Sequence, residues 1–171
     1  PFEEVVNERN SYAGNLTPEL EAEKLTALRD RIEDAFGSAP VSYRAGRYGL
    51  GHETAGLLKR SGVSIDTSVR SGFDYRAQHG PDYALHPLVP YWIDEEKELL
   101  ELPVTTVFWG LLRQQGRLVH RMQRFIPTLF SGFSKLRLLE RIALTPEGVT
   151  IDEALRGIDI AIDDGLPLLV L

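Results

Sequence analysis

Between residues 41 and 66 the chain carries a strand, a glycine-rich turn, a helix and a second strand, and that order leaves little choice of topology. Val41 to Arg44 reads as a short strand. Gly46, Gly49 and Gly51 mark a turn where the backbone bends or comes close to another segment. A helix is expected from about His52 to Ser61, with Leu57 and Leu58 inward and Gly62 as its stop, and Val63 to Asp66 reads as the second strand. Strands joined through a helix pair in parallel, by a right-handed crossover. The C-terminal ends of both strands then share one edge, which is where α/β proteins build their sites. Arg44 and Asp66 stand at that edge.

The flanking sequence extends the pattern. Residues 17–37 predict a helix: Thr17 caps, Pro18 suits the first helical position, and Glu19 and Glu21 favour the positive helix end. Leu25, Leu28, Ile32 and Phe36 make one apolar stripe, and Gly37 ends it. Residues 70–95, with Pro81, Pro87 and Pro90, read as a long loop. Leu99 to Thr106 reads as a strand interrupted at Pro103. Helices broken near Pro127 and Gly132 are expected in 107–141. Thr150 caps a last helix whose apolar face is Ile151, Ala154, Leu155, Ile158 and Ile162, and Leu168 to Leu171 reads as a final strand. Repeated β-then-α units imply an α/β barrel or an open α/β sheet, and 171 residues suit a single domain over 1–171. A Pro-Phe start and an apolar end suggest a segment of a longer domain.

Composition narrows the chemistry. With no cysteine there is no disulfide, no Cys-zinc site and no thiol nucleophile. No run approaches the ~20 apolar residues of a membrane span, so none is expected. A net charge of −6 argues against nucleic acid as a partner. The charge is uneven, for 113–141 holds seven bases (Arg113, Arg117, Arg121, Arg124, Lys135, Arg137, Arg141) and one acid, Glu140. Phe108, Trp109, Leu111, Leu112, Val119, Phe125, Leu129 and Phe130 alternate with them, so 107–141 reads as a basic helical insertion that covers the domain, with an anionic membrane surface as the other use. His52, His79, His86 and His120 show no metal-ligand spacing. The Gly46–Gly51 run has neither GxGxxG nor a GK[ST] ending, so it is a poor phosphate loop.

Ser11–Leu16, Tyr43–Gly51, Ile65–Val69, Gly80–Asp82, Pro90–Trp92 and Leu100–Thr105 occur in the order of the landmarks of the polysaccharide deacetylase family. The chain resembles that family throughout, and most nearly its WalW branch; Arg-Ala-Gly-Arg-Tyr-Gly and Asp-Thr-Ser-Val are the more specific segments. The resemblance implies a distorted NodB-like (β/α) barrel, incomplete in this chain. It implies metal-dependent removal of acetyl groups from an N- or O-acetylated bacterial surface polysaccharide, with a divalent metal, usually zinc, held by one aspartate and two histidines. Such a metal polarises the carbonyl and acidifies bound water, while a carboxylate and an imidazole move the protons.

Residue by residue, the resemblance makes Arg44 the arginine that orients the base aspartate, and Asp66 the partner of the acid histidine. It puts an oxyanion-stabilising main-chain N–H near Arg47 and Tyr48, although Tyr48 falls four residues after Arg44 where the common spacing is three. The Asp-Asp pair and His-x-x-x-His of the family would lie before Pro1 and the acid histidine after Leu171, so no metal ligand is assigned here; Asp163-Asp164 reads as surface. A carbohydrate polymer is the expected partner. Tyr91 and Trp92, with Tyr75 and Tyr83, are the aromatics available to stack on sugar rings, the alternative for Trp92 being to pack the loop onto the barrel. Two other readings stand: a non-catalytic glycan-binding relative of the same fold, and a glycoside hydrolase pairing Asp66 with Asp74 or Asp82.

Overall fold

Three two-residue strands run side by side and parallel in one sheet, the first two joined through a helix. The computed structural model describes residues 2–123 and 138–171. The sheet contains β1 (Ser42–Tyr43), β2 (Ile65–Asp66), β3 (Tyr91–Trp92) and β4 (Leu100–Glu101), in the order β1-β2-β4-β3. β1, β2 and β4 are parallel and β3 closes antiparallel on β4. The βαβ unit is thus present, with α2 (Thr54–Arg60) as its crossover. The second sheet pairs β5 (Thr106–Trp109) and β6 (Glu140–Ala143) antiparallel. Both sheets are open, and no closed barrel forms among the described residues. The chain separates into two compact units.

The first unit comprises Pro1–Val69, Asp74–Asp82 and Pro90–Pro103. Its long helix α1 (Pro18–Phe36) has the expected ends: Thr17 Oγ1 accepts from Leu20 N–H at 3.4 Å, Pro18 opens the first turn, and Gly37 takes φ +75°. Only part of the expected stripe turns inward, and Leu25 and Ile32 are half-buried. Leu25 packs on Leu58, Val63, Leu99 and Tyr43, whereas Leu28 and Phe36 are exposed. The reason is length: 19 residues of helix span about 28 Å, while two-residue strands reach about 7 Å. α2 starts at Thr54 rather than His52. Thr54 Oγ1 takes the Gly51 N–H at 2.8 Å and donates to buried Glu21 at 2.6 Å.

The 9–16 segment locks onto the glycine-rich turn. Gly14 N–H donates to Gly49 O at 2.8 Å, and a Cβ on Gly14 would lie 2.0 Å from Gly51 N. Backbone meets backbone there, which only glycine permits. Tyr12 is buried against Gly49 and Gly80, and Asn15 Nδ2 donates to His79 O at 2.7 Å. Gly49 and Gly51, two of the glycines that suggested a weak phosphate loop, are therefore covered by the chain itself.

The second unit comprises Arg70–Phe73, Tyr83–Val89 and Val104–Leu171. Here the expected helical insertion over 107–141 is corrected. Both its ends are strand, with Phe108 opposite Arg141 and Trp109 opposite Glu140; Thr-Val-Phe-Trp is β-branched and aromatic and three of its four residues are buried. α3 (Gly116–Gln123) is its described helix, while Arg124, Phe125, Leu129, Phe130, Lys135 and Arg137 lie outside the described residues. Arg141, expected in the basic helical insertion, lies on a strand over the Phe73 ring at 3.7 Å and donates to Gly72 O, and Arg70 lies over the same ring at 4.0 Å.

α4 (Ile151–Asp163) covers β5 and β6. Thr150 and Glu153 cap it reciprocally, and Ile160 and Ala161 bury against Val107, Ile142 and Leu144. Gly157 lets the helix approach, since a Cβ there would come within 2.8 Å of Leu144. Ile151, Leu155 and Ile162, expected inward, are exposed, because the buried stripe runs through Ala154, Gly157, Ile158 and Ala161 instead. Leu168 to Leu171, expected as a final strand, joins no ladder. Val170 O accepts from Thr105 N–H at 3.0 Å, and the Thr105 side chain takes the Val170 N–H at 2.8 Å, in place of a neighbouring backbone.

Candidate functional site

The register of the first sheet sets four side chains in one row. Tyr43 pairs with Asp66, Asp66 with Glu101, and Glu101 with Tyr91, so the row runs Tyr43–Asp66–Glu101–Tyr91 across the four strands on one face. Tyr43, Asp66 and Glu101 are the last residues of the three parallel strands. The row therefore lies at the C-terminal edge that the βαβ unit predicts for a site.

Its centre is two buried carboxyls. Asp66 is 1% exposed and Glu101 0%. Asp66 Oδ1 accepts from Ser68 N–H at 3.0 Å and from the Ser68 hydroxyl, whose oxygen also takes the Ala45 N–H at 2.8 Å. Glu101 Oε1 accepts from Val69 N–H at 3.0 Å. Glu101 Oε2 is buried with no hydrogen-bond partner among the described residues. Burial, and then the neighbouring Asp66, push the Glu101 carboxyl up to about 9. Burial also raises Asp66, against the lowering effect of the Ser68 bonds. The tyrosines at the ends respond in the same sense: burial and the nearby Glu21 and Asp66 push Tyr43 up to about 12, and burial with Glu101 and Asp66 pushes Tyr91 up as well.

The sequence-expected residues fall around this row unevenly. Arg44 follows β1; its Nε donates to Thr67 O at 3.2 Å and to Thr67 Oγ1 at 3.1 Å, and its charge acts on Glu101. Arg47 and Tyr48 form a turn in which both take positive φ, +54° and +59°. Such backbone costs about 1–3 kcal/mol per residue for a side chain other than glycine. Contacts hold it: Arg47 lies over the Tyr12 ring at 4.3 Å, and Tyr48 stacks on Tyr75 at 6.2 Å. The Tyr48 N–H donates to Ala45 O at 3.1 Å and the Gly49 N–H to Gly46 O at 3.1 Å, so in this conformation these donors are spent within the turn.

Tyr91 joins the row, and Trp92, next to it on the strand, points to the opposite face and is 45% exposed. Tyr83 is buried against His86, and Tyr75 is engaged by Tyr48, so Trp92 is the sugar-stacking candidate with an open ring. Asp74 and Asp82 are drawn to Arg76, at 2.6 and 3.4 Å, and Arg76 holds the Asp74 carboxyl below its usual range. Asp74 and Asp82 thus form an exposed ion-pair cluster, apart from the row.

The residue that sequence reasoning passed over is Glu101. It lies inside a quoted landmark, Leu100–Thr105, yet only the strand order sets it beside Asp66. Among the described residues no group of three His, Asp or Glu side chains could hold a metal ion. Asp66 and Glu101 each take a main-chain N–H, from Ser68 and Val69, and two carboxyls alone fall short of such a group. Among the described residues no helix is long and apolar enough to cross a membrane. Comparison with protein-family models, with curated proteins and with solved structures finds no match for this chain.

Proposed function

We propose that the chain is part of a polysaccharide deacetylase-like carbohydrate esterase, and that the Tyr43–Asp66–Glu101–Tyr91 edge belongs to its active site. One observation carries the reading. The segments that bear the resemblance, far apart in sequence, gather at two junctions of the first unit: Tyr43–Arg44, Ile65–Val69, Tyr91–Trp92 and Leu100–Glu101 at the sheet edge, and Tyr12–Asn15, Arg47–Gly51 and Gly80 at the glycine-rich turn.

In this reading Asp66 carries the negative charge that orients and stabilises a protonated imidazole, supplied from outside the chain described. Ser68 fixes its carboxylate, and Thr67 fixes the Arg44 guanidinium one strand away. Trp92 offers a flat apolar face to a pyranose ring. The resemblance implies zinc, and the described residues do not fit it as a ligand set. The Arg47–Tyr48 turn would supply an oxyanion donor only by giving up the Tyr48–Ala45 bond.

A second reading, a glycan-binding relative without turnover, is favoured by the exposed Trp92. One assay separates them. The full-length gene product that carries this segment is incubated with an N-acetylated glucosamine polymer and zinc, and free acetate is measured beside bound glycan. Acetate release that falls at least about 100-fold in Asp66→Asn supports the esterase. Glycan retained with no acetate supports the binding relative. New reducing ends without acetate would overturn both.

A further inference from the structure

Two carboxyls buried side by side in low dielectric cannot both be charged, and the surroundings decide which one keeps the proton. Asp66 receives two donors from Ser68, a main-chain N–H and a hydroxyl. Glu101 receives one, from Val69, and its second oxygen is buried with no hydrogen-bond partner among the described residues. A carboxylate oxygen with nothing to accept from is costly, whereas a carboxylic acid can turn its O–H toward the anion beside it. We propose that Glu101 is a positioning residue: held as the neutral acid, it donates to Asp66 and accepts from Val69 N–H, so that Asp66 bears the single charge of the pair at a fixed place on the sheet edge. The role of that charge rests on the esterase reading above; the location of the proton does not.

The groups facing Glu101 are Asp66 on β2, Tyr91 on β3 and Arg44 after β1. Arg44 favours the charged form, but burial and Asp66 outweigh it. Glu101 is thus pushed from 4.5 to about 9 in the folded chain. The fold binds this proton through a range in which the unfolded chain has released it. The contribution to stability is complete below the unfolded value and is lost as pH rises through the folded one.

The test is a carboxyl carbon-13 NMR titration of the protein from about pH 4 to about pH 10, run beside thermal unfolding of wild type, Glu101→Gln and Glu101→Ala. Glutamine reproduces the neutral acid, with one acceptor for Val69 and one donor for Asp66. The expected result is a Glu101 carboxyl still neutral at pH 7, ionising only on the alkaline side. The wild-type unfolding midpoint should fall as pH rises from the ordinary glutamate range toward about 9, and the Glu101→Gln midpoint should not. A Glu101 carboxyl that titrates in the ordinary glutamate range overturns the proposal. So does a Glu101→Gln chain whose loss matches Glu101→Ala at every pH. If the glutamine variant fails to fold, the wild-type titration decides alone. Acetate release, measured in parallel, keeps the two claims apart: a neutral Glu101 in a chain that frees no acetate strikes only the esterase reading. In an active chain, Glu101→Gln should push the alkaline limb of the rate to higher pH.

Discussion

Between β5, β6 and α4 the second unit buries Val107, Ile142, Leu144, Ile160 and Ala161, an apolar set closed over Gly157. At the end of β2 and β4 the first unit buries Asp66 and Glu101 instead. An apolar pair of similar volume in that place would be as stable or more so, because desolvating carboxyls is expensive. The first unit has apolar packing of its own in Leu58, Val63 and Leu99, so the acids do not stand in for a missing core. The difference teaches where to look for chemistry. The second unit is arranged for burial, whereas the edge of the first accepts a cost that its packing does not require. The strained Arg47–Tyr48 turn in the same unit points the same way.

Substitutions sharpen that contrast. The largest effect is expected from Leu144→Ala, which opens a cavity under α4 and should cost about 3 kcal/mol. Native-state hydrogen exchange should show the loss in the amides of β5, β6 and α4; equal loss in the amides of α1 and α2 would break the division into two units. Next comes pH. Because Glu101 is raised toward about 9, the first unit should lose stability between mildly acidic and alkaline pH, seen as a falling Tm. Calorimetry at several pH values checks it, and a flat profile would remove the buried acid from the account.

Thr150→Ala breaks the capping box of α4, where Thr150 Oγ1 takes the Glu153 N–H at 3.3 Å, and should cost about 1 kcal/mol by denaturant titration. The smallest expected effect is that of Arg76→Ala. Its bonds to Asp74 and Asp82 are exposed and screened, so a change above about 1 kcal/mol would show that cluster to be more than a surface ion pair.

How much of this was legible in the sequence varies by region. The βαβ unit was, because strand, helix and stop residues all agree over 41–66 and parallel pairing then follows. Both long helices were, from Thr17 and Thr150 as caps and, for α1, Gly37 as its stop. Which residues they bury was less so: Leu28, Phe36 and Ile162 fit an apolar stripe, but a small sheet covers only part of a long helix. β5 and β6 were hidden by the arginines and leucines of 107–141, which resemble an amphipathic helix; Thr106 to Trp109 alone carried a strand signal. Asp66 was marked by its place at a strand end. Glu101 was not, because an acid in Leu-Leu-Glu-Leu-Pro reads as an outward residue until the strand order sets it beside Asp66.

The central claim is that the sheet bearing Asp66 and Tyr91 on one face and Trp92 on the other meets an acetylated glycan. The direct measurement is an amide NMR titration of the protein with an N-acetylglucosamine oligomer, repeated with Trp92→Ala. The account predicts shifts centred on Arg44, Thr67, Tyr91 and Trp92. It also predicts binding weakened about five-fold in the variant, the loss of one aromatic stacking contact. Shifts confined to the second unit, or none at saturating glycan, would contradict it.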